Sequence, residues 1–175
     1  MDSDSDDGMP LRPKIVLVAA LVAVIVAIDL VTKAIAEANL TDAPTIHLLG
    51  DTIRIGYVLN SGVFLSLGHE LSPTLRFWLF VVGVAGVLAM LLGLTFKDPR
   101  FRRPEVVAVA AIVGGGLGNL WDRIQLGVVR DFMNVGIGPL RTGIFNVADM
   151  AITFGGIALL LLPLLRRKRK PEAPA

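Results

Sequence analysis

Two aspartates stand close to one another in the stretch "RDFMNVGIGPLRTGIFNVADM", Arg130 to Met150. Asp149 falls in the first turn of the apolar run that continues as "AITFGGIALLLLPLL", and Asp131 precedes it by 18 residues. An ionised carboxylate at membrane depth is costly, so such a group normally has a partner or a task. Two carboxylates flanking a substrate can share one proton. The ionised member then activates a water molecule while the protonated member polarises a carbonyl. Asp131 and Asp149 supply that minimum set without a cofactor, and a low-dielectric membrane edge favours keeping one acid of the pair protonated near neutral pH.

Other polar residues collect around them. Asp29 and Lys33 are spaced i, i+4 and share a helix face. In "GGGLGNLWDR", Gly115, Asn119 and Asp122 fall on one face, with Arg123 one turn beyond Asn119. Asn146 and Asp149 are spaced i, i+3, and "NSGVF" adds Asn60 and Gly62. Each has a plainer reading: Asp29 and Lys33 neutralising one another, Asn146 capping a helix with an acid in its first turn, Asp122 and Arg123 as a solvated pair, Asp131 paired with Arg130 or Arg123. Other chemistries also remain open on the residues alone. These are a Ser–Lys pair from Lys33 with Ser61 or Ser66, a carboxylate-held divalent metal, and a proton relay of a small ion-coupled transporter.

The elements that must position these groups are read from hydropathy. Hydrophobic residues make up 54% of the 175-residue chain, and the mean hydropathy of +0.69 is too high for an ordinary soluble domain. Four apolar segments, about Lys14–Ala36, Leu75–Phe96, Glu105–Ile124 and Asn146–Leu165, each approach the ~20 residues a membrane-crossing helix needs. An acidic stretch over residues 1–13 reads as a disordered tail and residues 166–175 as a basic tail. The first segment could be mistaken for a signal peptide, with "AIA" at Ala34–Ala36 as a cleavage site. Asp29 and Lys33 interrupt it, and the extreme N-terminus is acidic, so it is expected to remain a transmembrane helix. Basic residues at Arg12 and Lys14, at Lys97–Arg103 and at Arg166–Lys170 flank the spans on one side, which the positive-inside rule makes the cytoplasm. Glu37–Thr74 and Gln125–Phe145 are then outer segments, and every polar residue named above lies toward that side. Thr52–Val58, "TIRIGYV", alternates and predicts a short β element with one apolar face at the membrane interface. The expected fold is thus an all-α membrane protein of four transmembrane helices with a small extracytoplasmic β element. A net charge of +2 gives no support to a nucleic-acid partner, and the absence of Cys removes thiolate, disulfide and iron–sulfur chemistry. His47 and His69 have no ligand-like spacing, so no metal site and no cofactor are expected.

Five ordered blocks carry a family resemblance: "DLVTK" (Asp29–Lys33), "NSGVF" (Asn60–Phe64), "GGGLGNLWDR" (Gly114–Arg123), "VVRDF" (Val128–Phe132) and "FNVAD" (Phe145–Asp149). With them the chain resembles the lipoprotein signal peptidases, or signal peptidase II, the intramembrane aspartyl proteases of bacteria, from about Lys14 to Leu165. The resemblance implies that Asp131 and Asp149 form the catalytic dyad. It also implies that Asn60, Gly62, Asn119, Arg123 and Asn146 line the site, and that Asp29, Lys33 and Asp122 are structural. It implies a monomeric hydrolase of the bacterial cytoplasmic membrane, among whose lipids it works. Its partners would be prolipoproteins bearing diacylglycerol on a cysteine, cleaved just before that cysteine, with the scissile segment extended against the β element.

Overall fold

A computed structural model describes residues 8–61 and 72–167. Among them are helices α1 (Leu11–Leu40), α2 (Pro73–Phe77), α3 (Val84–Lys97), α4 (Arg103–Leu126) and α5 (Val147–Arg167). A π-helical segment, Trp78–Gly83, joins α2 to α3 without leaving helical geometry. Four stretches are long and apolar enough to cross a membrane: α1, Trp78–Lys97, α4 and the first nineteen residues of α5. The first expected span is longer at both ends than its hydropathy suggested, beginning at Leu11 and running to Leu40. Polar residues such as Glu37 and Asn39 extend it as ordinary helix beyond the apolar window.

α4 is the hub. Two thirds of its most apolar window (67%) is buried, against 11–17% for the other spans, whose outer faces carry exposed aliphatic side chains suited to lipid. Its glycines explain the close packing. A Cβ on Gly115 would strike the carbonyl of Ala148 in α5, and one on Gly118 would strike the carboxylate of Asp29 in α1. The small-residue face is therefore needed where α1 and α5 meet α4, as helix contacts in membranes commonly require.

The sheet is larger than the single β element expected. It is an antiparallel four-stranded array in the order β1 (Ile46–Leu48), β2 (Ile53–Asn60), β3 (Val129–Ile137), β4 (Leu140–Arg141). The expected element corresponds to β2, which continues two residues further, into the "NSGVF" block. β3 and β4 arise from the second outer segment, where Gly138, in the left-handed region at φ 55°, turns the chain. Between Ile55 and Val58 the β2–β3 register shifts by one residue. This β-bulge opposes Gly56 and Tyr57 to Phe132, and it reverses which residues of β2 share a face with Asp131.

At the opposite end of the bundle, Lys14 is buried and its Nζ donates to the carbonyls of Thr95 (3.1 Å) and Asp98 (2.9 Å), closing the C-terminus of α3. The packing gives two glycine substitutions opposite signs. Gly118→Ala forces a methyl against a buried carboxylate and should cost about 1–3 kcal/mol. Gly86→Ala, with open space at its Cβ position, should stabilise α3 by about 0.5–1 kcal/mol. Thermal unfolding of both variants in detergent checks this, and equal shifts would contradict it.

Candidate active site

The site is built from α1 outward. Lys33 is fully buried, and its Nζ lies 2.7 Å from Asp29 Oδ2 and 3.3 Å from Asp122 Oδ2. It also donates to Asn119 Oδ1 at 3.0 Å. That last bond settles the orientation of an amide. With its oxygen toward an ammonium group, Asn119 must turn its NH2 the other way, where Nδ2 donates to Asp149 Oδ1 at 2.7 Å. Asp29 has a second task, accepting the backbone N–H of Ala148 at 2.9 Å and so holding the first turn of α5.

Asn146 caps α5 and joins the two aspartates. Its Oδ1 accepts from the Asp149 N–H (3.0 Å), and Asp149 Oδ2 accepts from the Asn146 N–H (3.1 Å), a reciprocal capping pair. The capping reading of these residues therefore holds together with their place in the site. With its oxygen engaged, the Asn146 amide directs Nδ2 at Asp131 Oδ1 (2.7 Å) and Asn119 Oδ1 (3.0 Å).

Asp131 comes from the sheet. Arg130, the residue before it, donates its backbone N–H (3.0 Å) and its guanidinium to Asp122, and reaches Glu37 of α1 at 2.8 Å. This clamp fixes the start of β3 against α1 and α4. Arg130 thus does not pair with Asp131, and Asp122 is not a solvated partner of Arg123, since it is wholly buried between Lys33 and Arg130. Asn60 Nδ2 donates to Asp131 Oδ2 at 2.8 Å. It can do so because of the bulge: Val58 stands opposite Asp131 after the register shift, so Asn60 is its diagonal neighbour on the same face. In the unshifted register Asn60 would point to the other face.

Asp131 is almost wholly buried, at 1% exposure, while Asp149 is half-buried. Burial pushes the Asp131 carboxyl up to about 6, the Asn60 bond opposing this and the charge of Asp149 adding to it. The structure thus gathers Asn60, Asn119, Asn146, Asp131 and Asp149 into one connected set, with Asp29, Lys33 and Asp122 beneath it. Arg123 stands beside the set, where Asp149, Asp131 and Asp122 all act on it. Gly62 and His69 lie outside the described residues. His47 lies away from the site, its Nδ1 2.5 Å from Asp51 on an exposed turn of the sheet. Glu37 and Arg130 were not singled out from the sequence as part of this assembly. Their contact spans 93 positions, and only the charge of each residue was visible beforehand.

Residues 21–165 match the signal peptidase (SPase) II family. Over 91% of this chain, the lipoprotein signal peptidase of Sulfurihydrogenibium sp. is 33% identical, with 98% of that protein covered. That of Desulfitobacterium hafniense is 34% identical over 89% of this chain and 99% of its own length. Two solved bacterial membrane enzymes superpose with TM-scores of 0.73 and 0.74, each at 26% identity, covering 90% and 84% of this chain and 93% and 92% of theirs. The chain belongs to the signal peptidase II family, the multi-pass bacterial membrane hydrolases that cleave signal peptides from prolipoproteins.

Proposed function

We propose that this peptidase is of the aspartic type, with Asp131 and Asp149 as its dyad. The observation that carries the reading is that two carboxylates from different elements meet across Asn146, each held by amide donors, one of them buried enough to be pushed up to about 6. In the reactive form of the pair the proton sits on Asp131. Water attacks the scissile carbonyl carbon, giving a proton to the Asp149 carboxylate, while Asp131 gives its proton to the carbonyl oxygen. Collapse of the resulting gem-diol breaks the C–N bond, the departing nitrogen taking the proton from Asp149 and a diol hydroxyl returning one to Asp131. The products are a carboxylic acid and an amine, and the dyad is restored. Asn119, Asn146 and Asn60 hold the carboxylates at fixed geometry, and Arg123 offers donors to the substrate backbone.

The substrate in this reading is a prolipoprotein whose cysteine carries diacylglycerol, cut just before that cysteine, and the resemblance of the "NSGVF" block adds Gly62 to the residues proposed for the site. A lipid-linked substrate reaches the dyad laterally from the bilayer, which suits a site at the sheet end of the bundle, where Asp149 opens a membrane-spanning helix. Exposed Leu49, Ile137 and Leu140 at the far rim of the sheet suit a sheet lying on the membrane. The basic residues at the end away from the sheet support cytoplasmic termini and a site at the outer surface. The enzyme is taken to act as a monomer.

Cleavage of a diacylglyceryl-modified prolipoprotein, followed by gel shift, tests the dyad. Asp131→Asn and Asp149→Asn should each lower turnover about 10³-fold while remaining inserted and folded; normal cleavage by either variant would overturn the assignment. A second expectation concerns stability. Asp131 titrates near 6 in the folded protein against 3.8 for an unperturbed carboxyl. Its favourable protonated state is fully present below pH 3.8 and is lost as pH rises through about 6. Asp131→Asn should therefore be more stable than wild type at pH 7, by up to about 3 kcal/mol, with the gain shrinking toward pH 4. A gain that does not vary with pH would count against a buried, proton-holding Asp131.

A further inference from the structure

Arg123 is the anomaly of the polar end. Its neighbours are all engaged: Asp122 with Lys33 and Arg130, Asp131 with Asn60 and Asn146, and Asp149 with Asn119 and the Asn146 N–H. Among the described residues its own guanidinium makes no hydrogen bond and no ion pair. What it does meet is an aromatic ring, the Arg123 Cζ lying 5.8 Å from the centroid of Phe80, within the range of a cation–π contact.

Phe80 belongs to the π-helical segment Trp78–Gly83. Wide turns of this kind recur at functional positions because they re-aim side chains. Trp78 and Leu79 beside it face outward, while Phe80 is half-buried.

We infer that Phe80 is a positioning residue, which holds the Arg123 guanidinium against its ring and out of ion pairing with the two aspartates, leaving the N–H edges free for the substrate backbone. This rests on the aspartyl-dyad reading. Aromatic attraction acts on the face of the guanidinium and leaves its donors unused, whereas a carboxylate would occupy them. An arginine in direct contact with Asp131 or Asp149 would also favour the ionised carboxylate and strip the shared proton from the pair. The charged groups facing this arrangement are Asp122 on α4, Asp131 on β3, Asp149 on α5 and, through its effect on Asp131, Lys33 on α1. The span carrying Phe80 contains no carboxylate or histidine between Ser72 and Leu94, and Arg76 is its one charged residue there.

The test is the pH profile of kcat/KM in nanodiscs with a diacylglyceryl-modified prolipopeptide, for wild type, Phe80→Leu, Phe80→Met and Phe80→Tyr. Releasing Arg123 onto the dyad should move the alkaline limb of both aliphatic variants to lower pH by about one unit, so that activity above the limb falls about tenfold. Phe80→Tyr keeps the ring and should keep the limb. In an Arg123→Gln background, Phe80→Leu should leave the limb where Arg123→Gln alone sets it. Thermal unfolding identifies any variant that merely fails to fold, and the second aliphatic variant then carries the comparison. An unmoved limb in the folded aliphatic variants, an equal shift in Phe80→Tyr, or a shift that persists without Arg123 would overturn the role of Phe80. If instead Asp131→Asn or Asp149→Asn still cleaves, it is the dyad reading that fails.

Discussion

The ammonium group of Lys33, buried with no access to water, is the constraint on which the polar end of this protein depends. An isolated charge in such a place would be lost to desolvation by several kcal/mol, roughly, unless acceptors surround it. Those acceptors come from two helices: Asp29 one turn back on α1, and Asn119 and Asp122 on α4. Meeting the requirement fixes how close α1 and α4 must lie, and Gly118 is the residue that lets Asp29 reach its place. It also sets the Asn119 amide, so one buried cation decides the direction of the hydrogen bond that Asp149 receives. Residues read from the sequence as structural therefore transmit geometry into the candidate site.

A second assembly approaches from the sheet. Arg130 bridges Asp122 and Glu37, and with its backbone N–H also bound, the chain leaving α4 has little freedom before Asp131. The β-bulge supplies the remaining condition by turning Asn60 onto the face of Asp131. The helical and sheet assemblies join at Asn146, a helix cap whose side chain has donors left over once its oxygen has satisfied the Asp149 N–H. The arrangement stores strain of an electrostatic kind. A carboxyl kept near pH 6 by burial lowers stability at neutral pH, the expected relation between a working site and the fold that holds it.

Much of this was legible because the membrane makes polar residues conspicuous. Against Leu, Val and Ala, residues such as Asp29, Lys33, Asn119 and Asp149 could be recognised one by one, and their helical spacing gave their faces. The pair Asp29–Lys33 and the Asn146 cap follow from local spacing and recur in the structure. The β-bulge did not follow, since "TIRIGYV" alternates cleanly and only pairing with β3, more than seventy residues later, shifts its register. The strand character of Val129–Ile137 was hidden because the outer segment was read for its acids and its turn residues. Arg130 was read as a possible partner of Asp131, and its real partners, Asp122 and Glu37, were fixed by the packing of α1 against α4. Phe80 carried no signal at all, being one aromatic in an apolar span.

The two ends of the bundle satisfy their buried charges in different ways. At the end away from the sheet, Lys14 is as buried as Lys33, yet backbone carbonyls at a helix C-terminus satisfy it, and the carboxylate it acts on, Asp98, has its own ion pair with Arg100. At the sheet end, the ionisable groups are coupled, and nearly every donor and acceptor among the described residues is committed. The exception is the Arg123 guanidinium, with a planar set of donors held against a ring beside two carboxylates. A site whose own groups are satisfied cannot gain much by rearranging, so the free energy available for recognition lies with the group left unsatisfied. An extended substrate backbone presents carbonyl oxygens, which a guanidinium can meet without surrendering its charge to either aspartate. The same donors would be of little use against a helical segment, whose carbonyls are already bonded. The unsatisfied arginine and the neighbouring strands thus favour the same substrate conformation.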